Sequence, residues 1–194
     1  WGYDPLVQLL ASRGYAVLQV NYRGSTGYGA AWLDAGKQKL GTVMHDDITA
    51  GARWLVSQGI ADPARLAIVG WSYGGYAAQM GAIKEPGLYR CAVSIAGLSD
   101  LEVIASQDAR FYGGRDATRQ ATGTTDLEQQ SPRRRAAEVG VPLLLVHGKF
   151  DVRVLPSHSI EMARALKRAG KPHELLLIEH GDHALQLPGM RREL

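Results

Sequence analysis

Short apolar runs that do not alternate with polar residues constrain this chain more than any other feature. They fall at 15–22 (YAVLQVNY), 65–70 (RLAIVG), 91–97 (CAVSIAG), 141–148 (VPLLLVHG) and 173–180 (HELLLIEH). A strand with one wet face alternates apolar and polar residues. A run that is apolar throughout is buried on both faces, which is the habit of parallel sheets covered by helices. Each of these runs is therefore expected to be a strand.

The segments between the runs supply the helices. In HDDITAGARWLVSQG, Ile48, Ala52, Leu55 and Val56 share one helical face. Asp46 and Asp47 stand at its positive N-terminus, and Gly59 lies just past its end. SIEMARALKRAG spaces Ile160, Ala163 and Leu166 in the same way and stops at Gly170. Strands alternating with helices predict an α/β fold with right-handed crossovers. Residues 98–130 break the rhythm with FYGGRDATRQATGTTDLEQQ, read as a short helix over 101–106 followed by an irregular excursion. No linker divides the 194 residues, so they are expected to form one domain.

Composition excludes several classes. A formal net charge of +3 is only mildly basic. The dense run Arg133–Arg135 lacks the interleaved aromatics of a nucleic-acid site and is read as a solvated first turn of a helix. No apolar stretch reaches the roughly 20 residues of a membrane span. The single Cys91 forms no internal disulfide and is read as a core residue. With no leader in view, it points to the cytoplasm. No H-E-x-x-H or cysteine pair is present, so neither a metal nor another cofactor is expected.

Chemistry concentrates at Gly70-Trp71-Ser72-Tyr73-Gly74, which follows an apolar run directly and opens a helix rich in small residues. This is the G-x-S-x-G nucleophile elbow, a sharp strand-to-helix turn that presents the serine hydroxyl at the carboxyl end of a sheet. Gly70 and Gly74 are expected where side chains would collide with the neighbouring strand or helix. Gly75, Ala77 and Ala78 keep the helix slim against the sheet. The backbone N–H groups that follow the serine face a developing oxyanion. A serine hydroxyl is a poor nucleophile and needs a base and an orienting acid, in the order Ser, Asp or Glu, His in this fold. Asp151 follows the run 141–148, and both His180 and His183 follow the last run. His147 is read as a structural residue bonded to nearby backbone, and His45, His158 and His173 have no partner pattern.

Taken together, NYRGSTGYG (21–29), GWSYGGY (70–76), HGKFDVRV (147–154) and GDHAL (181–185) resemble blocks of the prolyl oligopeptidase family of serine peptidases, in family order and across nearly the whole chain. Within the family, the acylaminoacyl-peptidase and dipeptidyl-peptidase types are the most similar. The resemblance implies an α/β-hydrolase with a mostly parallel sheet flanked by helices. It implies Ser72 as nucleophile, Asp151 as acid, His183 rather than His180 as base, and the Tyr73 backbone N–H as an oxyanion donor. The implied substrate is a short peptide, cleaved through an acyl-enzyme. An esterase of the same fold, and a catalytically weak fragment, are the alternatives. Two departures stand out. Val154 is followed by Leu155 and then Pro156, where the family commonly has proline directly. The HGGP-like block that supplies a second oxyanion donor is not found. The family's first strands and its N-terminal β-propeller are accordingly expected to be absent from these residues, with an inner strand missing from the sheet. A second copy of the chain or an N-terminal region is the expected protein partner.

Overall fold

Ladders of backbone hydrogen bonds join the later runs into a four-stranded, wholly parallel sheet in sequence order. Its strands are β1 (Ala67–Trp71), β2 (Cys91–Ile95), β3 (Leu143–Gly148) and β4 (His173–Ile178). The computed structural model describes residues 2–109, 113, 114, 116 and 126–185. The register pairs Gly70 with Ser94, Ile95 with Val146, and Gly148 with Ile178, so all the strands end on the same side. Ligand sites of open α/β sheets form at that side.

The helices are α1 (Pro5–Ser12), α2 (Ala30–Ala35), α3 (Val43–Ser57), α4 (Tyr73–Lys84), α5 (Leu101–Asp108) and α6 (Ser157–Arg168). α4 is buried along most of its length, with Tyr76, Ala77, Ala78 and Met80 inside the core. Its approach to β2 is close enough that a Cβ on Gly75 would stand 3.0 Å from the Ile95 carbonyl oxygen, and 2.7 Å from the Gly97 Cα just beyond the strand. α3 begins at Val43, earlier than its acidic residues indicated, and packs Ile48, Ala52 and Val56 on the core. α6 buries Met162, Ala163 and Leu166, and Gly170 just beyond it takes a left-handed φ of 66°. No helix among the described residues is long and apolar enough to cross a membrane.

Three expectations are corrected. Residues 15–22 are not a strand. Leu18 and Val20 instead lie against Gly51 of α3, and Tyr15, Val17 and Leu18 stay substantially exposed. Apolar residues create a demand for burial, but a strand also needs a neighbour with free backbone groups. Among the described residues no strand lies alongside 15–22, and β1, which pairs only with β2, keeps its outer edge open and Val69 exposed. Arg133 is not simply solvated, because its guanidinium pairs with the buried Asp100 carboxylate at the N-cap of α5. The segment Pro132–Glu138 is a 3-10 helix. Cys91 is half-buried at the start of β2 rather than within the core. The short helix read at 101–106 runs on to Asp108 as α5, while much of the excursion after it lies outside the described residues.

Two histidines are enclosed by this packing. His45 in α3 and His158 in α6 are 1% and 2% exposed. Burial lowers both from the ordinary value of 6.5 to about 4; for His45 the Lys84 cation adds to it, and for His158 the neighbouring His147 does. Between those pH values the unfolded chain binds more protons than the native one, so stability falls as the pH drops from 6.5 to 4. Thermal melts across that window should show Tm declining continuously. His158→Asn, which keeps an acceptor for the Ser99 N–H, should flatten the decline by on the order of 3 kcal/mol at its acid end. A Tm independent of pH there, or a variant with the parent's slope, would contradict the assignment.

Candidate active site

The turn between β1 and α4 is strained where the chemistry sits. Ser72 has φ 56° and ψ −115°, a region that side chains rarely occupy. Such a conformation costs on the order of 1–3 kcal/mol and persists only when its surroundings hold it. Here the Ser72 N–H donates to the Ile95 carbonyl at 2.8 Å, and the Ser72 carbonyl accepts from the Tyr76 N–H at 3.1 Å. A Cβ on Gly70 would run into the Gly74 backbone, so the elbow closes only with glycine there. Gly74 differs from expectation, since a Cβ at that position meets nothing within 4 Å. The Tyr73 N–H is a first-turn donor of α4 without an intrahelical acceptor. The Tyr73 ring is wedged between Tyr22 and Tyr76, with centroids 5.3 and 5.7 Å away.

Asp151 lies in the loop after β3 and is 1% exposed. Its Oδ1 accepts the N–H groups of Arg153 and Val154, each at 2.9 Å. Burial alone would raise its carboxyl. Hydrogen bonds from His147, His183 and the Val154 N–H, together with the charge of His183, hold it below the ordinary carboxylate value instead. His183 follows β4. Its Nδ1 is 2.7 Å from Asp151 Oδ2, and its Nε2 is 3.0 Å from Ser72 Oγ. The structure thus brings Ser72, His183 and Asp151 into one hydrogen-bonded chain. His180 is exposed and stacks on Phe150 at 5.9 Å, away from that chain.

Two features that align these groups were not read from the sequence. The loops carrying Asp151 and His183 cross at Gly148 and Gly181, where a Cβ on Gly148 would enter the Gly181 carbonyl. A bond from the Phe150 N–H to the Gly181 carbonyl at 2.8 Å, and one from the Lys149 N–H to the Ile178 carbonyl at 2.9 Å, clamp the crossing. Gly148 at the end of one run and Gly181 just after the other were the available signal. The second feature is Trp71, whose indole N–H donates to the His183 carbonyl at 2.8 Å. The residue preceding the serine therefore holds the histidine loop, and nothing in the elbow motif announces it. His147, read as structural, does bond backbone at the Val154 carbonyl, but it also reaches Asp151.

The family model described as the prolyl oligopeptidase family matches residues 1–194. Dipeptidyl aminopeptidase BIII of Pseudoxanthomonas mexicana is 35% identical over 97% of this chain and 28% of its own length. The acylamino-acid-releasing enzyme of Arabidopsis thaliana is 30% identical, over 92% of this chain and 25% of its own. Among solved structures, an uncomplexed acylaminoacyl peptidase of Pyrococcus horikoshii aligns with a TM-score of 0.85 and 29% identity, covering 98% of this chain and 32% of that one. A puromycin-hydrolyzing peptidase of Mycobacterium tuberculosis aligns with a TM-score of 0.77 and 36% identity over 84% and 25%. The chain thus spans between a quarter and a third of the length of these relatives.

The two elbow glycines should respond oppositely to the same substitution. Gly70→Ala forces backbone apart and should destabilise by about 1–3 kcal/mol. Gly74→Ala should be neutral or stabilising by up to about 1 kcal/mol, since alanine is the better helix former. Urea unfolding of both variants checks this, and equal losses would mean that the open space beside Gly74 is not there.

Proposed function

The chain belongs to the prolyl oligopeptidase family, and from that membership we propose that it carries the catalytic site of a serine peptidase acting on short peptides. Residues 1–194 are taken as one catalytic unit, equivalent to part of the longer relatives. The observation that carries the reading is the pair of distances at His183, 3.0 Å to the Ser72 hydroxyl and 2.7 Å to the buried Asp151 carboxylate.

In the proposed reaction, Ser72 Oγ attacks the scissile carbonyl carbon while His183 Nε2 takes its proton. Asp151 holds the Nδ1 proton in place, keeping Nε2 free to accept, and stabilises the imidazolium that forms. Negative charge moves to the carbonyl oxygen, where the Tyr73 N–H donates to it. As the C–N bond breaks, the imidazolium gives its proton to the leaving amine. Water then attacks the acyl-enzyme with His183 again as base, and the returned proton releases Ser72 and the carboxylic acid product. Dipeptidyl aminopeptidase, acylamino-acid-releasing enzyme and puromycin hydrolase are the names of the relatives, which supports small amide substrates.

Ser72→Ala should abolish covalent labelling by a fluorophosphonate probe and lower kcat on peptide amides by about 10⁶-fold, with the fold retained. His183→Ala should remove nearly all turnover while His180→Ala has a mild effect. Asp151→Asn should lower kcat by up to about 10⁴-fold by favouring the wrong tautomer. Labelling of the Ser72→Ala protein, or a larger loss from His180→Ala than from His183→Ala, would overturn the assignment. Hydrolysis of short-chain esters without any hydrolysis of peptide amides would reassign the substrate class.

A further inference from the structure

His147 lies on β3 with no exposed surface, enclosed between the Asp151 loop and α6. Its Nε2 faces two groups that only accept hydrogen bonds, the Val154 carbonyl at 2.8 Å and Asp151 Oδ2 at 3.2 Å. Its Nδ1 is 2.7 Å from the Ser159 hydroxyl, which is able to donate. A neutral imidazole satisfies all of these partners in one arrangement only, with the proton on Nε2 and the lone pair on Nδ1. Asp151 is then met on every side. Backbone N–H groups hold Oδ1 and the His183 imidazole meets Oδ2, while the His147 Nε2–H, whose shorter bond is to the Val154 carbonyl at 2.8 Å, is shared with the same Oδ2 at 3.2 Å.

We infer that His147 is a positioning residue for the catalytic acid: its Nε2–H pins Asp151 Oδ2 and shares the charge that this oxygen presents to His183. The inference rests on the proposed roles of Ser72, Asp151 and His183. The bond has two effects. It fixes the rotation of the carboxylate, because the other oxygen is already held by the loop backbone. It also limits how strongly Asp151 draws positive charge onto His183, since a carboxylate oxygen that accepts two N–H donors gives less to each. The ionisable groups facing Asp151 are His147 from β3 and His183 from the loop after β4. Ser159 from α6 fixes the His147 tautomer, and His158 from the same helix is close enough to be affected by both His147 and Asp151.

Two amides of different length test this in the full-length protein. The glutamine amide reaches the place of Nε2 and is able to donate to Asp151. The asparagine amide reaches only the place of Nδ1 and serves Ser159 alone. His147→Gln should keep kcat within about 3-fold of the parent. His147→Asn should lower kcat by about 10-fold to 100-fold with KM little changed, the same order as the loss when a hydrogen-bonding partner of a metal-bound histidine is removed. Its acid limb of kcat/KM against pH should also move to higher pH by about 0.5, because Asp151 then stabilises the His183 imidazolium more strongly. In an Asp151→Ala background the same His147→Asn change should have no further effect on kcat, since its influence passes through the carboxylate. An unmoved acid limb in His147→Asn, equal kcat losses in both amides, or an undiminished loss in the Asp151→Ala background would overturn the inference and leave His147 as a brace for the loop. The parallel Ser72→Ala and Asp151→Asn proteins separate the two levels. If they remain active, the site itself is misassigned. If they are inactive while His147→Asn matches the parent, only the role of His147 is wrong.

Discussion

A carboxylate carried out of water to the end of a sheet must be met by donors, and much of this site is arranged around that requirement. An uncompensated buried charge costs several kcal/mol, comparable to the whole stability of a domain. Asp151 avoids that cost through the turn of residues 151–154, which brings two N–H groups onto Oδ1, and through imidazoles from β3 and from the loop beyond β4. The crossing of Gly148 and Gly181 brings those two segments close enough to do so. Ser72 is held differently, by strain resisted through the Ile95 carbonyl and by a tight fit to its own turn at Gly70.

Parallel pairing explains why these groups meet although they are distant along the chain. Every strand of the sheet ends on the same side, so the turns after β1, β3 and β4 open onto one surface. Trp71 and His147 then act sideways across that surface. One holds the backbone of the histidine loop and the other reaches the acid. Neither is part of the Ser72–His183–Asp151 chain, yet each touches a member of it.

What the sequence revealed follows from how local each cause is. Non-alternating apolarity in 65–70, 91–97, 141–148 and 173–180 reports burial on two faces, and β1 to β4 lie there. The same signal at 15–22 gave no strand, because no described strand lies alongside it: the run stays largely exposed, with only Leu18 and Val20 against Gly51 of α3. The elbow was legible because its strain needs Gly70 nearby in sequence. Gly74 was misread because the motif's symmetry implied a crowding that exists on one side only. Arg133 looked solvated because its partner, Asp100, lies 33 residues away and becomes visible only once α5 packs beside the 3-10 helix. The second bond of His147 was hidden for a related reason. A histidine and an aspartate four residues apart face each other only if the intervening turn bends as this one does.

The indole bond from Trp71 to the His183 carbonyl spans 112 residues, and the Ser72–His183 contact beside it spans 111. During synthesis the elbow emerges well before its histidine. Domains tend to fold as units once their contacts are available, so the serine passes through the early life of the chain without a base. The Ser72–His183 contact forms only when β4 has docked and the loop after it has been caught by the tryptophan. A ribosome-bound intermediate of this chain therefore holds Ser72 without the His183 contact on which the proposed mechanism depends.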